Sequence, residues 1–160
     1  MATQERSSPT LVLRSGGARD LDNVMKIMTA AFPPCFGEAW TRSQCSGILP
    51  MHGVILTIAE LGRNPVGFSL VRAVADEAEL LLLAVDPAEQ RRGIGQALLD
   101  EFIAGALARG AHRLHLEVRD GNPAITLYRA PGFSPAGRRR NYYLGPDGAA
   151  HDAVTLLLTS

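Results

Sequence analysis

The amino-acid sequence predicts a mixed α/β fold, with a twisted sheet of about six to seven strands flanked by about four helices. The first observation is a leucine-rich strand, an amphipathic helix and an alternating strand that follow one another between residues 79 and 118. Such a strand–helix–strand unit should be parallel and right-handed. The second observation is a pair of hairpin patterns, one before this unit and one after it. Together they predict a mixed sheet with a parallel centre.

The elements before the central unit follow from local patterns. A short strand at 11–14 ends at two glycines, and a helix with apolar residues at helical spacing runs over 20–32, where Pro33 and Pro34 stop it. A second short helix is expected over 40–49. The segments 54–60 and 66–74 then predict an antiparallel pair joined by a turn at 61–65.

The central unit begins with the strand at 79–85, whose nearly continuous leucines predict burial on both faces. Gly110 stands where a helix C-cap belongs, and 113–118 alternates between apolar and polar residues. The helix between them is predicted from one apolar stripe, which consists of Leu98, Leu99, Phe102, Ile103, Ala106 and Leu107.

The last part of the chain predicts a short helix at 123–129 and two strands at 138–144 and 153–158, which flank a turn at 145–148. The sequence contains no internal linker or repeat. We therefore expect a polar N-terminal tail at 1–10 and a single domain at 11–160.

Composition limits the classes of function. Sixteen basic residues balance sixteen acidic ones, so no global field attracts nucleic acid or a membrane surface, and we expect neither as a partner. Cys35 and Cys45 are too few for a disulfide framework, which favours reduced thiols and a cytoplasmic location. His52, His112 and His151 lack metal-ligand spacing, so we expect no metal site.

The segment Gln90-Arg91-Arg92-Gly93-Ile94-Gly95 lies between the buried strand and the start of the amphipathic helix. Glycines allow a ligand to approach the backbone, and the free amides of a helix N-terminus bind phosphate. No Gly-Lys-Ser/Thr follows, so this is not a Walker loop, and Leu98 replaces the third glycine of a dinucleotide fingerprint. The segment alone is also compatible with an ordinary glycine-containing helix start.

The residues after this segment resemble the second half of the Gcn5-related N-acetyltransferase (GNAT) family. The resemblance is carried by Leu116-Glu117-Val118-Arg119, then Asn122, Leu127-Tyr128 and Gly132-Phe133. Further segments at 76–78, at 84–87 and at 139–143, which reads Arg-Arg-Asn-Tyr-Tyr, are similar to the RimI-like branch, the ribosomal-protein-alanine N-acetyltransferases. The resemblance covers roughly residues 40–158.

The resemblance implies that the sheet splays open between the strands that contain Leu80 and Leu114, and that acetyl-CoA lies in the opening. It implies that the pantetheine arm pairs with the backbone of Leu83, Ala84 and Val85, and that the arm also contacts Asn122. The pyrophosphate would bind the amides of a continuous run, namely Arg91, Arg92, Gly93, Ile94, Gly95 and Gln96.

The resemblance also implies that Glu117 is the general base and Tyr128 the general acid. The residue types suit these roles, because transfer to an amine requires the removal of one proton and the supply of another. Taken by themselves, Glu117 is compatible with a solvated strand face and Tyr128 with core packing. His115 shares a face with Glu117, where it could assist that residue or be solvated.

One departure concerns Asn122. The family usually has six residues between the positions of Asn122 and Tyr128, and this chain has five. Because each helical residue rotates the chain by about 100°, one end of this segment is turned relative to the other. Tyr128 keeps its spacing to Gly132-Phe133, and Pro123 suits a first helical position with Asn122 as the cap. The departure therefore affects Asn122 and not Tyr128.

For the acceptor, the resemblance implies the N-terminal α-amine of a ribosomal protein that begins with alanine. Trp40 and the segment 138–143 correspond to elements around the acceptor groove, and we expect one of the adjacent Tyr142 and Tyr143 to face it. Two alternatives stay open, which are an acetyltransferase for a small-molecule amine and a non-catalytic acyl-CoA-binding module. The presence of both Glu117 and Tyr128 argues against the second alternative.

Overall fold

The computed structural model describes residues 9–160, so most of the predicted tail at 1–10 lies outside the described residues. The described residues form a single seven-stranded sheet in the order β1-β2-β3-β4-β5-β7-β6. The strands are β1 (Leu11–Ser15), β2 (Val54–Leu61), β3 (Asn64–Val74), β4 (Glu77–Val85), β5 (Arg113–Arg119), β6 (Ser134–Leu144) and β7 (Ala150–Thr159). The α-helices are α1 (Leu21–Ala31), α2 (Arg42–Ile48), α3 (Ile94–Ala108) and α4 (Ile125–Arg129).

The helices cover both faces of the sheet, because each strand points alternate side chains to opposite faces and so presents apolar residues on both. In β2, Leu56 and Ile58 pack in one core cluster with residues of α1, whereas Ile55 packs in another that contains residues of α3. Three clusters of buried residues result: one under α1 and α2, one under α3 and α4, and a smaller one where the first turns of α3 pack on β2 and β3. The predicted fold class is confirmed.

The pairing of β4 with β5 is the feature that opens the sheet. The two strands are parallel, and their paired residues run only from Glu77 and Arg113 to Leu80 and Leu116. Beyond Leu80, β4 keeps β3 as a partner while β5 continues along β7. The backbone of β4 from Leu81 to Val85 is therefore free on the side that faces β5, as the expected splay requires.

A β-bulge at Leu81 changes which face of β4 is covered. Leu70 on β3 pairs with Leu82 and Val71 pairs with Leu80, so Leu81 is the extra residue. The prediction that β4 is buried on both faces was wrong beyond Leu80. Leu82 and Ala84 are buried, but Leu81, Leu83 and Val85 are only half-buried, because β5 has moved away from them.

Most of the helix predictions agree with the structure; one residue of the apolar stripe and the start of α4 do not. Gly110 follows α3 with φ +90°, which confirms the expected C-terminal signal. Leu107 was wrongly assigned to the apolar stripe and is 42% exposed, because it lies about 140° around the helix from the centre of the buried side chains. The helix α4 begins at Ile125 and not at Pro123.

Candidate functional site

Two connected hollows open where β4 and β5 separate. We call the larger one the open cleft; it has a volume of ≈ 880 Å³ and lies between the end of β4, the start of α3 and the loop that leads into α4. We call the smaller one the inner cavity; it has a volume of ≈ 110 Å³ and lies between β4, β5, α4 and the end of β6. They have five lining residues in common, which are Phe32, Glu38, Leu83, Asn122 and Ala124.

The start of α3 contributes free backbone amides to the open cleft. The first hydrogen bond at the start of α3 runs from the amide of Ala97 to the carbonyl of Gly93, so the amides of Ile94, Gly95 and Gln96 precede the intrahelical ladder. Gly93 at φ +73° and Arg91 at φ +68° turn the chain into the helix. These amides and the positive end of the helix dipole can bind an anion such as a phosphate group.

Nine of the ten residues expected to bind the cofactor line the open cleft. They are Leu83, Ala84, Val85, Arg91, Gly93, Ile94, Gly95, Gln96 and Asn122. Arg92 is the exception; its half-exposed side chain forms an ion pair with Glu89 at 3.0 Å. The free backbone of β4 and the amides of α3 thus face the same space.

Glu117 lies on the polar face of β5, where its side chain is only 8% exposed. Its Oε2 accepts a hydrogen bond from Thr155 Oγ1 at 2.7 Å, and its Oε1 accepts one from Arg139 Nε at 2.9 Å. Glu117 lines the inner cavity. The Glu117 carboxylate is therefore fixed by two hydrogen bonds and paired with one cation, unlike that of a solvated residue on an exposed strand face.

Tyr128 on α4 is buried and packs edge-to-face with Phe133 at a ring-centroid distance of 6.4 Å. Burial, together with the charge of Glu38, raises the pKa of Tyr128 to about 12. The phenol thus keeps its proton across the physiological pH range. Because Tyr128 also lines the inner cavity, it combines core packing with access to the space beside Glu117.

Asn122 and Glu38 are joined to Arg119 in a partly buried network. Asn122 Oδ1 accepts a hydrogen bond from the amide of Ala124 at 2.9 Å, which closes the turn before α4. The prediction that Asn122 caps this helix was wrong, because α4 begins at Ile125 and Ala124 is its N-cap. Its Nδ2 donates to Glu38 Oε2 at 3.0 Å, and Arg119 Nε donates to Glu38 Oε1 at 3.0 Å. The Arg119 guanidinium stacks 3.6 Å from the centre of the Phe36 ring.

The sequence patterns did not single out Glu38. A signal was present, because Glu38 is the only charged residue between Ile27 and Thr41 and lies in a stretch that contains Phe36 and Trp40. A charge in such surroundings needs a partner. That partner comes from β5, far along the chain, and only the tertiary structure identifies it.

The residues expected around an acceptor also line the inner cavity. Trp40 does so, as do both Tyr142 and Tyr143. The prediction that only one of the two tyrosines faces this space was wrong. Strand pairing with β7 is irregular between Arg139 and Tyr143, and Asn141 has φ +52°, so the usual alternation of side chains is lost.

His115 contacts a different carboxylate from the one considered in the sequence. Its Nε2 lies 3.7 Å from Glu79 Oε2, and this contact raises the pKa of His115.

Within residues 9–160, no cluster of three or more His, Cys, Asp or Glu side chains has the arrangement of a metal site. In the same part of the chain, no helix has the length and apolar character needed to cross a membrane. Cys35 and Cys45 are both free thiols.

The fold and the two hollows define an open-sheet α/β protein in which a long cleft, suited to a phosphate-bearing ligand, meets a narrow polar cavity. The family model described as "Acetyltransferase (GNAT) family" matches residues 21–133. The chain belongs to this family, which confirms the resemblance seen in the sequence. The acyl donor of the family is acetyl-CoA.

One relative with an assigned activity is similar to more than half of the chain. The chain is 47% identical to the ribosomal protein bS18-alanine N-acetyltransferase of Escherichia coli. The aligned segment is 92 residues long and covers 57% of this chain. That match spans 62% of the length of the relative.

Two solved structures share the fold over nearly the whole chain. A crystal structure of the ribosomal-protein-S18-alanine N-acetyltransferase from Escherichia coli superposes with a TM-score of 0.83 at 33% identity and covers 94% of both chains. Arabidopsis thaliana NAA60 in complex with acetyl-CoA superposes with a TM-score of 0.78 at 18% identity, over 94% of this chain and 98% of NAA60, which shows the common fold alone.

Proposed function

We propose that the protein transfers the acetyl group of acetyl-CoA to the N-terminal α-amine of a protein that begins with alanine, a ribosomal protein being the favoured acceptor. The observation that carries this proposal is that Glu117 and Tyr128 line one narrow cavity, which joins the open cleft where β4 and β5 separate. The similarity to ribosomal protein bS18-alanine N-acetyltransferases supports the choice of acceptor.

The open cleft fits the donor. The amides that begin α3 suit the pyrophosphate, and the unpaired edge of β4 beyond Leu80 suits the amide groups of the pantetheine arm. When bound, acetyl-CoA supplies the acetyl thioester. The residues assigned to binding are those expected from the sequence, with Arg92 acting through its backbone because its side chain pairs with Glu89.

Glu117 serves as the general base. Its carboxylate is fixed by Thr155 on the adjacent strand and lines the cavity that receives the acceptor amine. It removes a proton from the amine, directly or through one water molecule. Tyr128 serves as the general acid, because its raised pKa of about 12 ensures that its oxygen holds the proton needed by the departing thiolate.

The choice of an α-amine follows from the cost of deprotonation. With a pKa of roughly 7.7–8.0, an α-amine is made neutral at pH 7 for about 1 kcal/mol, whereas a lysine near 10.4 requires about 4.6 kcal/mol. The inner cavity, at ≈ 110 Å³, also favours a small first residue such as alanine. This assignment treats 11–160 as one acetyltransferase domain, and it implies the cytoplasm, where ribosomal proteins are made.

The test is thiol release from acetyl-CoA with matched peptides. One peptide has a free N-terminal alanine and no lysine; the other is blocked at its N-terminus and carries one lysine. We expect rapid transfer to the first and far slower transfer to the second. Equal rates on both peptides, or activity only with small free amines, would remove the proposed acceptor while leaving acetyl transfer itself in place.

A further inference from the structure

The carboxylate of Glu117, the proposed general base, is already paired with a cation. Arg139 Nε donates to its Oε1 at 2.9 Å, while Thr155 Oγ1 occupies its Oε2. Both carboxylate oxygens therefore already have a donor, and an amine can reach Oε1 only by displacing the guanidinium.

The two partners of this ion pair differ in their exposure. The Glu117 side chain is 8% exposed, whereas the Arg139 side chain is 61% exposed. Arg139 belongs to β6, the edge strand of the sheet, and its only other close partner among the described residues is the Tyr142 ring, 5.7 Å from the guanidinium carbon. The guanidinium can thus leave the carboxylate for solvent, while Glu117 stays in place.

The neighbouring residues hold β6 while Arg139 moves. Arg138 Nη1 lies 2.7 Å from Asp120 Oδ2 and 3.0 Å from Asp152 Oδ2. The amide of Asn141 donates to Asp152 Oδ1 at 3.0 Å. Arg138 and Arg139 are also paired with β7, so the Arg139 side chain can swing without displacing the strand.

We propose that Arg139 is a positioning residue that occupies the Glu117 carboxylate until the ammonium group of the acceptor replaces it. The exchange substitutes one cation for another, so the buried carboxylate is never left without a positive partner. Once the guanidinium has left, the ammonium group takes its place at Oε1, while Thr155 keeps its hydrogen bond to Oε2. This inference depends on the proposed amine-acetylating function and specifies how its acceptor is admitted.

Other groups around Glu117 do not replace Arg139 in this role. Tyr143 donates its hydroxyl to the Glu117 backbone carbonyl at 3.3 Å, and burial raises the pKa of Tyr143. His115 is engaged by Glu79, and Arg119 by Glu38. The titratable groups that face Glu117 from the packed elements are therefore Arg139, His115, Glu79, Glu38, Tyr128, Tyr142 and Tyr143. Of these, Arg139 alone places a cationic atom on the carboxylate.

The test compares Arg139→Gln with Arg139→Lys, using the alanine-first peptide. Arg139→Gln removes the competing cation, so we expect the peptide KM to fall about five-fold, the upper range for an ion pair with an exposed partner. The kcat should stay at the parental value, because Arg139 has already left the carboxylate in the bound complex. Arg139→Lys should restore the parental KM.

The matched control is Arg113→Gln, which removes an arginine paired with Glu77 at the other end of β5. It should leave KM and kcat unchanged. Calorimetric titration of the peptide should show the same gain in affinity for Arg139→Gln. If the parent is active and Arg139→Gln leaves KM unchanged, raises KM or lowers kcat, the exchange is wrong and the proposed function stands. If the parent does not acetylate the peptide, the proposed function and the exchange both fail.

Discussion

The open cleft and the inner cavity meet at the same gap in the sheet, but the chain builds them differently. Much of the cleft wall comes from one continuous stretch, residues 83–96, and offers free backbone amides and an unpaired strand edge. The wall of the cavity comes from residues as far apart as Phe32 and Tyr143, and offers paired charges and aromatic side chains. A substitution should therefore harm the cleft by blocking its backbone, and the cavity by removing a particular side chain.

The largest effect is expected from Gly95→Val. A Cβ at this position would lie 3.4 Å from Leu127 and 3.7 Å from Val85, which are ordinary contacts, so the domain should stay folded. The added methyl groups would cover the amides at the start of α3. We expect calorimetry to show no measurable binding of acetyl-CoA, with an unchanged melting temperature.

Arg92→Ala is the control for that change. It removes a charge from the same loop, but the Arg92 side chain pairs with Glu89 and does not line the cleft. The affinity for acetyl-CoA should stay within about five-fold of the parent, the scale of an exposed ion pair. A folded Gly95→Val variant with the affinity of the parent would contradict a backbone phosphate site.

The cavity should respond to the loss of single side-chain groups. Glu117→Gln and Tyr128→Phe should each lower kcat by about 10²–10⁴, the range for a positioned base or acid. Neither residue lines the open cleft, so the affinity for acetyl-CoA should be retained. Glu101→Gln, on the exposed face of α3, is the control for the charge change. Turnover at the parental rate in both site variants would mean that neither residue transfers a proton.

The smallest effect is expected at the network that separates the two hollows. Glu38→Gln keeps the shape of the side chain but weakens charged hydrogen bonds to Arg119 and Asn122, so the free energy of unfolding should fall by about 2 kcal/mol. Chemical denaturation measures this change, again with Glu101→Gln as the control. A loss no larger than that of the control would show that the network does not stabilise the fold.

Much of the fold could be read from the sequence because its signals are local. The alternation at 113–118, the glycine at 110 and the prolines at 33 and 34 each act within a few residues, and the structure follows them. Misassignments arose where a contact from elsewhere decided the outcome. Leu107 fits a helical stripe but lies beyond its packed centre, and β4 looked buried on both faces because the departure of β5 leaves no mark in its own residues.

For the candidate site, the sequence by itself determined the cleft segment and the presence of Glu117 and Tyr128, because their motifs are short and continuous. Only the tertiary structure decided the charges around the cavity. Glu38 meets Arg119 across 81 positions of the chain, and Thr155 reaches Glu117 across 38. Such pairs depend on which strands become neighbours and on bulges, such as the one between Arg139 and Tyr143 that turns both tyrosines to the cavity. Strand order and register are properties of the packed sheet, and no local pattern records them.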